Sequence, residues 1–291
     1  MKNSPSPPSP RGGAALRAKK SLGQHFLRDR GILEKILHAA DLSADDRVLE
    51  IGAGDATLTA PLSQACGRLI ALETDHRRVP RLREMFPAGG NVEIIDADIL
   101  QFDLGTLAAI APLKCVSNLP YNIATAVLER LLVRRGMFSL LVLMFQKEVG
   151  RRLVAGPGDA AYGSLSLATQ YRAEAALVCT VPRRAFSPPP AVESAVVRLL
   201  PRPAPLLPPE QEVMFDHLLR AGFAYRRKTF LNSAAISTRP IAPKSLAAGL
   251  AALGLTERAR AEEIPLEGYL RLASLLTPPV DSRSSGACQA D

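Results

Sequence analysis

The sequence contains no apolar run as long as the roughly 18–20 residues that a membrane span requires. Its opening stretch, MKNSPSPPSPRGG, lacks the apolar segment of a secretory signal. Both absences point to a cytoplasmic protein with no membrane attachment. Cysteine is sparse. Cys66, Cys115, Cys179 and Cys288 show no CxxC spacing, which argues for reduced structural thiols and against a zinc centre. No metal is expected. No internal repeat or coiled-coil heptad is visible, so a monomer is expected.

The chain has 291 residues with a 47% hydrophobic share, enough for one large domain and a small one. The net charge is +8, and its distribution matters more than its total. Residues 1–30 hold Lys2, Arg11, Arg17, Lys19, Lys20, Arg28 and Arg30 against a single acid, Asp29. A basic end of this kind favours a polyanion, because neutralising phosphates releases condensed counterions.

Residues 1–17 and 277–291 are rich in Pro, Ser and Gly and read as disordered tails. Between them, strand and helix patterns alternate. Strands are predicted over 47–51, 68–72, 92–95, 114–117, 139–145, 175–181 and 195–200, and helices over 57–66, 75–86 and 123–135. This order predicts a parallel sheet covered by helices on both faces, with ligands at the carboxyl ends of the strands. The stretch PRPAPLLPPE then reads as a linker, since closely spaced prolines sustain neither helix nor inner strand. Helices are predicted beyond it, over 211–223, 228–236, 245–253 and 266–275. The expected domains are therefore 18–201, an α/β domain, and 202–276, a small all-helical one.

The segment VLEIGAGDATLT joins a strand to a helix through a tight turn. Gly52 and Gly54 remove Cβ atoms where backbone approaches a ligand. Dinucleotide-binding enzymes share this look, but Thr57 stands where their third glycine belongs, which suits a cofactor without a pyrophosphate. Glu73 ends the next strand, where a carboxylate can accept both ribose hydroxyl protons. Asp98 follows the third strand and can accept from an adenine amino group. Glu50 can orient the turn or the charged amino-acid end of a cofactor.

Asn118-Leu119-Pro120-Tyr121 follows the fourth strand. An exocyclic adenine amine is a poor nucleophile because its lone pair is delocalised into the ring. The Asn118 side-chain oxygen and the Leu119 carbonyl can accept its N–H bonds and turn the lone pair toward a sulfonium methyl. Pro120 stiffens the turn, and Tyr121 offers a stacking face. Catalysis of this kind rests on positioning and electrostatics.

These residues sit in longer motifs: KKSLGQHFL (19–27), LEIGAGDATLT (49–59), DADIL (96–100), SNLPYNIAT (117–125), FQKEVGRRL (145–153), VPRRAFSPPPAVESAVVRL (181–199) and FAYRRKTFLNS (223–233). Together they strongly resemble the ribosomal RNA adenine dimethyltransferase family, nearest its bacterial small-subunit branch. The resemblance implies a Rossmann-like class I methyltransferase domain that uses S-adenosylmethionine, with the small helical domain behind it. It implies dimethylation of two adjacent adenines in the terminal hairpin loop of 16S rRNA within an assembling small ribosomal subunit. By position, His25 and Leu27 border the cofactor in a lid segment, Gly52 touches its methionine portion, Glu73 its ribose and Asp98 its adenine. Asn118 serves both cofactor and target amine, and Phe186 stacks on the target base opposite Tyr121. His25 replaces the family's more usual Asn, and Ala124 a Ser.

Lys19, Lys20, Arg151, Arg152, Arg183, Arg184, Arg226, Arg227 and Lys228 are candidates for a phosphate track. Three readings compete. An enzyme acting on 23S RNA is disfavoured by the long SNLPYNIAT and AFSPPPAVES motifs and the RRK run. DNA adenine methyltransferases carry a D-P-P-Y-type motif and a target-recognition insert, and neither occurs here. A non-catalytic assembly factor is disfavoured by the intact cofactor set, Asn118 and Tyr121, although the family also implies a checkpoint role in subunit assembly.

Overall fold

A computed structural model describes residue 19, residues 23–225 and residues 227–278. Lys20, Arg226, Cys288, the expected tail at 1–17 and most of the one from 277 lie outside the described residues. The first half of the chain forms β1 (Phe26–Leu27), α1 (Arg30–Ala40), β2 (Arg47–Ile51), α2 (Thr59–Ala65), β3 (Arg68–Glu73), α3 (Val79–Met85), β4 (Val92–Asp96), β5 (Leu113–Asn118) and α4 (Ala124–Leu132). It continues with β6 (Phe138–Gln146), α5 (Lys147–Val154), α6 (Ser164–Arg172), β7 (Ala173–Val181), β8 (Phe186–Ser187) and β9 (Ser194–Pro201). The last part is helical: α7 (Pro209–Gly222), α8 (Phe230–Ala235), α9 (Pro243–Ala252) and α10 (Leu266–Leu276). No helix among the described residues is long and apolar enough to cross a membrane.

The main sheet has the order β4-β3-β2-β5-β6-β9-β7. The first five strands are parallel, and their central members read as continuous apolar runs because both faces are covered. The expected all-parallel sheet is corrected at one end. β9 runs antiparallel to both β6 and β7. The reason lies in residues 182–193. This Pro-rich connection carries no crossover helix, and a parallel return requires one, so the chain folds back as a neighbouring antiparallel strand.

α1, α5, α6 and the small β1–β8 pair lie outside the predicted elements. α1 begins where the Asp29 side chain accepts from the Ile32 N–H at 3.1 Å, a conventional N-cap. It ends at Asp41 in the left-handed region (φ 46°). Its buried Ile32, Ile36 and Ala40 pack on the sheet. β1 pairs antiparallel with β8 through Leu27 opposite Phe186. The chain thereby carries its N-terminal segment across the carboxyl ends of the parallel strands.

The apolar core under α7–α10 joins Phe215, Phe230, Tyr269 and Leu272 to Tyr162, Leu167 and Tyr171 from upstream of residue 202. Tyr171 stacks on Phe215 with ring centroids 4.4 Å apart. The Tyr171 hydroxyl donates to Glu212 at 2.6 Å, and Arg135 pairs with the same carboxylate. Glu212→Ala would leave the buried Tyr171 hydroxyl and the exposed Arg135 guanidinium without their acceptor. It is expected to destabilise the protein by about 1–3 kcal/mol, read as a lower midpoint in urea with an unchanged slope; an unchanged midpoint would mean the clasp contributes nothing.

Candidate active site

A small cleft of about 70 Å³ opens where β2, β3 and β5 end. Of the expected residues, His25, Gly52, Gly54, Glu73, Asn118, Leu119, Pro120 and Tyr121 line it. Leu27, Glu50, Asp98 and Phe186 lie outside its lining. Leu27 is buried in the core. The Asp98 carboxylate is part-exposed and accepts from the Leu100 N–H at 2.9 Å. Phe186 is only 4% exposed. It belongs to the buried apolar cluster that also holds Leu27 and Ile36, and in this arrangement it does not line the cleft.

The turn after β2 is built by its glycines. Gly52 (φ 80°) and Gly54 (φ 57°) both lie in the left-handed region. A Cβ on Gly52 would meet nothing within 4 Å, so this backbone faces open space in the cleft. A Cβ on Gly54 would lie 2.9 Å from the Phe26 ring. The turn is tied to β3 by Glu73, which is 3% exposed. Its Oε2 accepts from the Gly54 N–H at 2.7 Å and its Oε1 from the Asp75 N–H at 2.8 Å. Burial pushes the Glu73 carboxyl up, against the pull of these two N–H groups.

Glu50 is 1% exposed, and burial, with Glu73 nearby, pushes its carboxyl up to about 8. Its Oε2 has no hydrogen-bond partner. An orphaned buried carboxyl oxygen behind an open glycine turn fits the charged amino-acid end of a cofactor. In the unfolded chain this group titrates near its ordinary 4.5. Its stabilising contribution is therefore complete below that pH and is lost as pH rises through 8. Relative to Glu50→Gln, the cofactor-free wild type is expected to lose on the order of 1.4 kcal/mol per pH unit across this window. Urea denaturation at pH 5, 6.5 and 8 reads the difference, and parallel curves would contradict it.

Asn118, the last residue of β5, donates through Nδ2 to the His25 carbonyl at 2.9 Å. This contact turns the side-chain oxygen the other way, as an acceptor. β5 is itself held in place by Ser117, whose hydroxyl accepts from the Ile51 N–H at 2.8 Å. His25 therefore orients Asn118 by its backbone, while its ring does something else. Nδ1 donates to the Pro188 carbonyl at 2.9 Å, and the ring lies face to face with Tyr121, centroids 5.8 Å apart and planes 25° apart.

The N-terminal segment is latched over the cleft by residues that the motifs did not single out. Gln24 donates to Asp75 at 3.2 Å. Arg28 pairs with Asp55 at 3.0 Å. Arg78, buried, pairs with Asp55 and sits over the Phe26 ring, 4.4 Å from its centroid. The Arg77 guanidinium holds the Asp75 carboxyl well below the usual carboxylate range. Gln24 and Phe26 lie inside the KKSLGQHFL motif, but nothing in a single sequence pairs them with Asp75 or Arg78. Of the candidate phosphate contacts, Lys19, Arg151, Arg183, Arg184, Arg227 and Lys228 are exposed and Arg152 is part-buried.

Residues 15–277 match the family described as ribosomal RNA adenine dimethylase. The chain is 42% identical over 268 residues to the ribosomal RNA small subunit methyltransferase A of Pelotomaculum thermopropionicum, covering 89% of this chain and 91% of the relative. It is also 42% identical over 270 residues to the protein of the same name from Thermosynechococcus vestitus, covering 90% and 97%. Among solved structures, a dimethyladenosine transferase from Plasmodium falciparum superposes with a TM-score of 0.71 at 29% identity, covering 85% of this chain and 96% of that one. The 23S rRNA methyltransferase ErmE superposes at 0.70 with 27% identity, covering 87% and 100%.

Proposed function

Since this chain belongs to the ribosomal RNA adenine dimethylase family, and is an rRNA adenine dimethyltransferase with a Rossmann-like fold, we propose that its substrates are S-adenosylmethionine and two adjacent adenines in the 3′-terminal hairpin loop of 16S rRNA. The small-subunit relatives at 42% identity support this target over large-subunit RNA. The enzyme acts in the cytoplasm on an assembling small subunit. Residues 18–201 carry the transfer and part of the phosphate track, and 202–276 form the helical RNA-binding domain. Lys19, Arg151, Arg152, Arg183, Arg184, Arg227 and Lys228, with Lys20 and Arg226, supply phosphate contacts.

Glu73 and Asp98 hold the nucleoside of S-adenosylmethionine, and Glu50 and Gly52 its amino-acid end. The sulfonium supplies an electrophilic methyl group. The observation that carries the reading is the Asn118 amide. With Nδ2 bound to the His25 carbonyl at 2.9 Å, its Oδ1 is left to accept an N–H of the target amine. The Leu119 carbonyl accepts the second N–H. These two acceptors draw the nitrogen toward tetrahedral geometry and free its lone pair, and Tyr121 carries the ring of the base. Each transfer releases one amine proton, which leaves to solvent.

Mapping tests the position of the target. Unmethylated small subunits treated with the enzyme and S-adenosylmethionine are digested, and the 3′-terminal fragment is sequenced by mass. Two neighbouring dimethyladenosines in the hairpin loop are expected, and modification elsewhere in 16S rRNA would overturn the proposal.

A further inference from the structure

We propose that Ser194 is a positioning residue for methyl transfer, holding the Tyr121 ring in the plane against which the target adenine stacks. The inference rests on the function proposed above. Ser194 is the first residue of β9 and is 0% exposed. Its backbone is pinned on both sides, opposite Gln146 of β6 and opposite Val181 of β7. A side chain whose backbone is clamped between two ladders starts from a fixed origin. Its hydroxyl shares a hydrogen bond with the Tyr121 hydroxyl.

Tyr121 needs such an anchor. It stands after the end of β5, in a turn whose next residue, Asn122, is exposed. Its ring is only part-buried. A tyrosine ring turns about two side-chain bonds, and a stacking face is useful only if it is already in plane when the base arrives. The bond at the far end of the ring removes that freedom. One face then looks toward the His25 ring and the cleft. Phe186, the other aromatic expected at the base, is buried, so the burden of stacking falls on Tyr121. A serine whose only task was to fill space could be an alanine at no loss. A buried hydroxyl aimed at a phenol oxygen indicates a directional role.

Single-turnover transfer to unmethylated small subunits, with S-adenosylmethionine saturating, separates the possibilities. Ser194→Ala is expected to slow the transfer step by about 10–100-fold while leaving the Kd for S-adenosylmethionine unchanged. Tyr121→Phe keeps the ring and removes only the hydroxyl, and is expected to slow it to a similar degree. If the two act through one bond, the double variant is no slower than Tyr121→Phe alone. A Ser194→Ala enzyme as fast as an active wild type would overturn the proposal. Losses that multiply in the double variant would also overturn it, since each hydroxyl would then act separately. A wild type inactive on every rRNA adenine would instead remove the proposed function, and with it the premise.

Discussion

Asn118→Ala is expected to lower the transfer rate by about 10²–10³-fold, the loss typical of removing one preorganised electrostatic group. The reasoning starts from the nucleophile. An adenine amine has its lone pair in the ring, and the proposed mechanism uses two acceptors at the end of β5 to draw it out. Asn118 Oδ1 is one of them, and its orientation is set by the Nδ2 bond to the His25 carbonyl at 2.9 Å. Alanine removes the acceptor and leaves the strand intact, because Ser117, Val116 and Cys115 keep β5 buried between β2 and β6. RNA binding should stay near wild type, since the basic residues assigned to phosphates lie elsewhere. Single-turnover rates with gel-shift affinities in parallel test this. Intact turnover in the variant would sink the mechanism, and lost RNA binding would show that Asn118 is a structural residue.

Glu73→Ala should act at the earlier step, cofactor binding. Both carboxylate oxygens are engaged with the backbone, at 2.7 Å to Gly54 and 2.8 Å to Asp75. The same oxygens retain acceptor capacity for two ribose hydroxyls. Hydrogen bonds to a charged group contribute about 1.5–3 kcal/mol each. Losing two of them to the cofactor corresponds to a Kd raised by about 10²–10⁴-fold. Titration calorimetry with S-adenosylmethionine reads this directly, with the circular dichroism spectrum expected unchanged. A Kd within a few fold of wild type would mean that Glu73 braces the turn and does not touch the ribose.

The two residues differ in how visible they are from sequence. Glu73 ends a continuous apolar run, RLIALE, and a strand-end acid after such a run is conspicuous. The Gly52–Gly54 turn is conspicuous for the same reason, since a buried strand stops abruptly at glycine. Both parallel strands and the turn are local patterns, and local patterns survive in one dimension. The antiparallel end of the sheet is not local. The strand character of β7 and β9 is legible, but their direction depends on what 182–193 cannot do. Ser194 is invisible for a similar reason: 73 residues separate it from Tyr121, and a serine at a strand start has no distinguishing signal. The latch of Gln24, Phe26 and Arg28 onto Asp75, Arg78 and Asp55 likewise exists only once the chain has folded. Phe186 shows the opposite limit. A motif can name the residue without saying that it is buried in the same apolar cluster as Leu27.

The most direct test is transfer of labelled methyl groups from S-adenosylmethionine to unmethylated small subunits and, in parallel, to large-subunit RNA, with product nucleosides resolved by mass. Dimethyladenosine in the small-subunit sample alone is the predicted result. Label in the large-subunit RNA, or none in the small subunits, would contradict it.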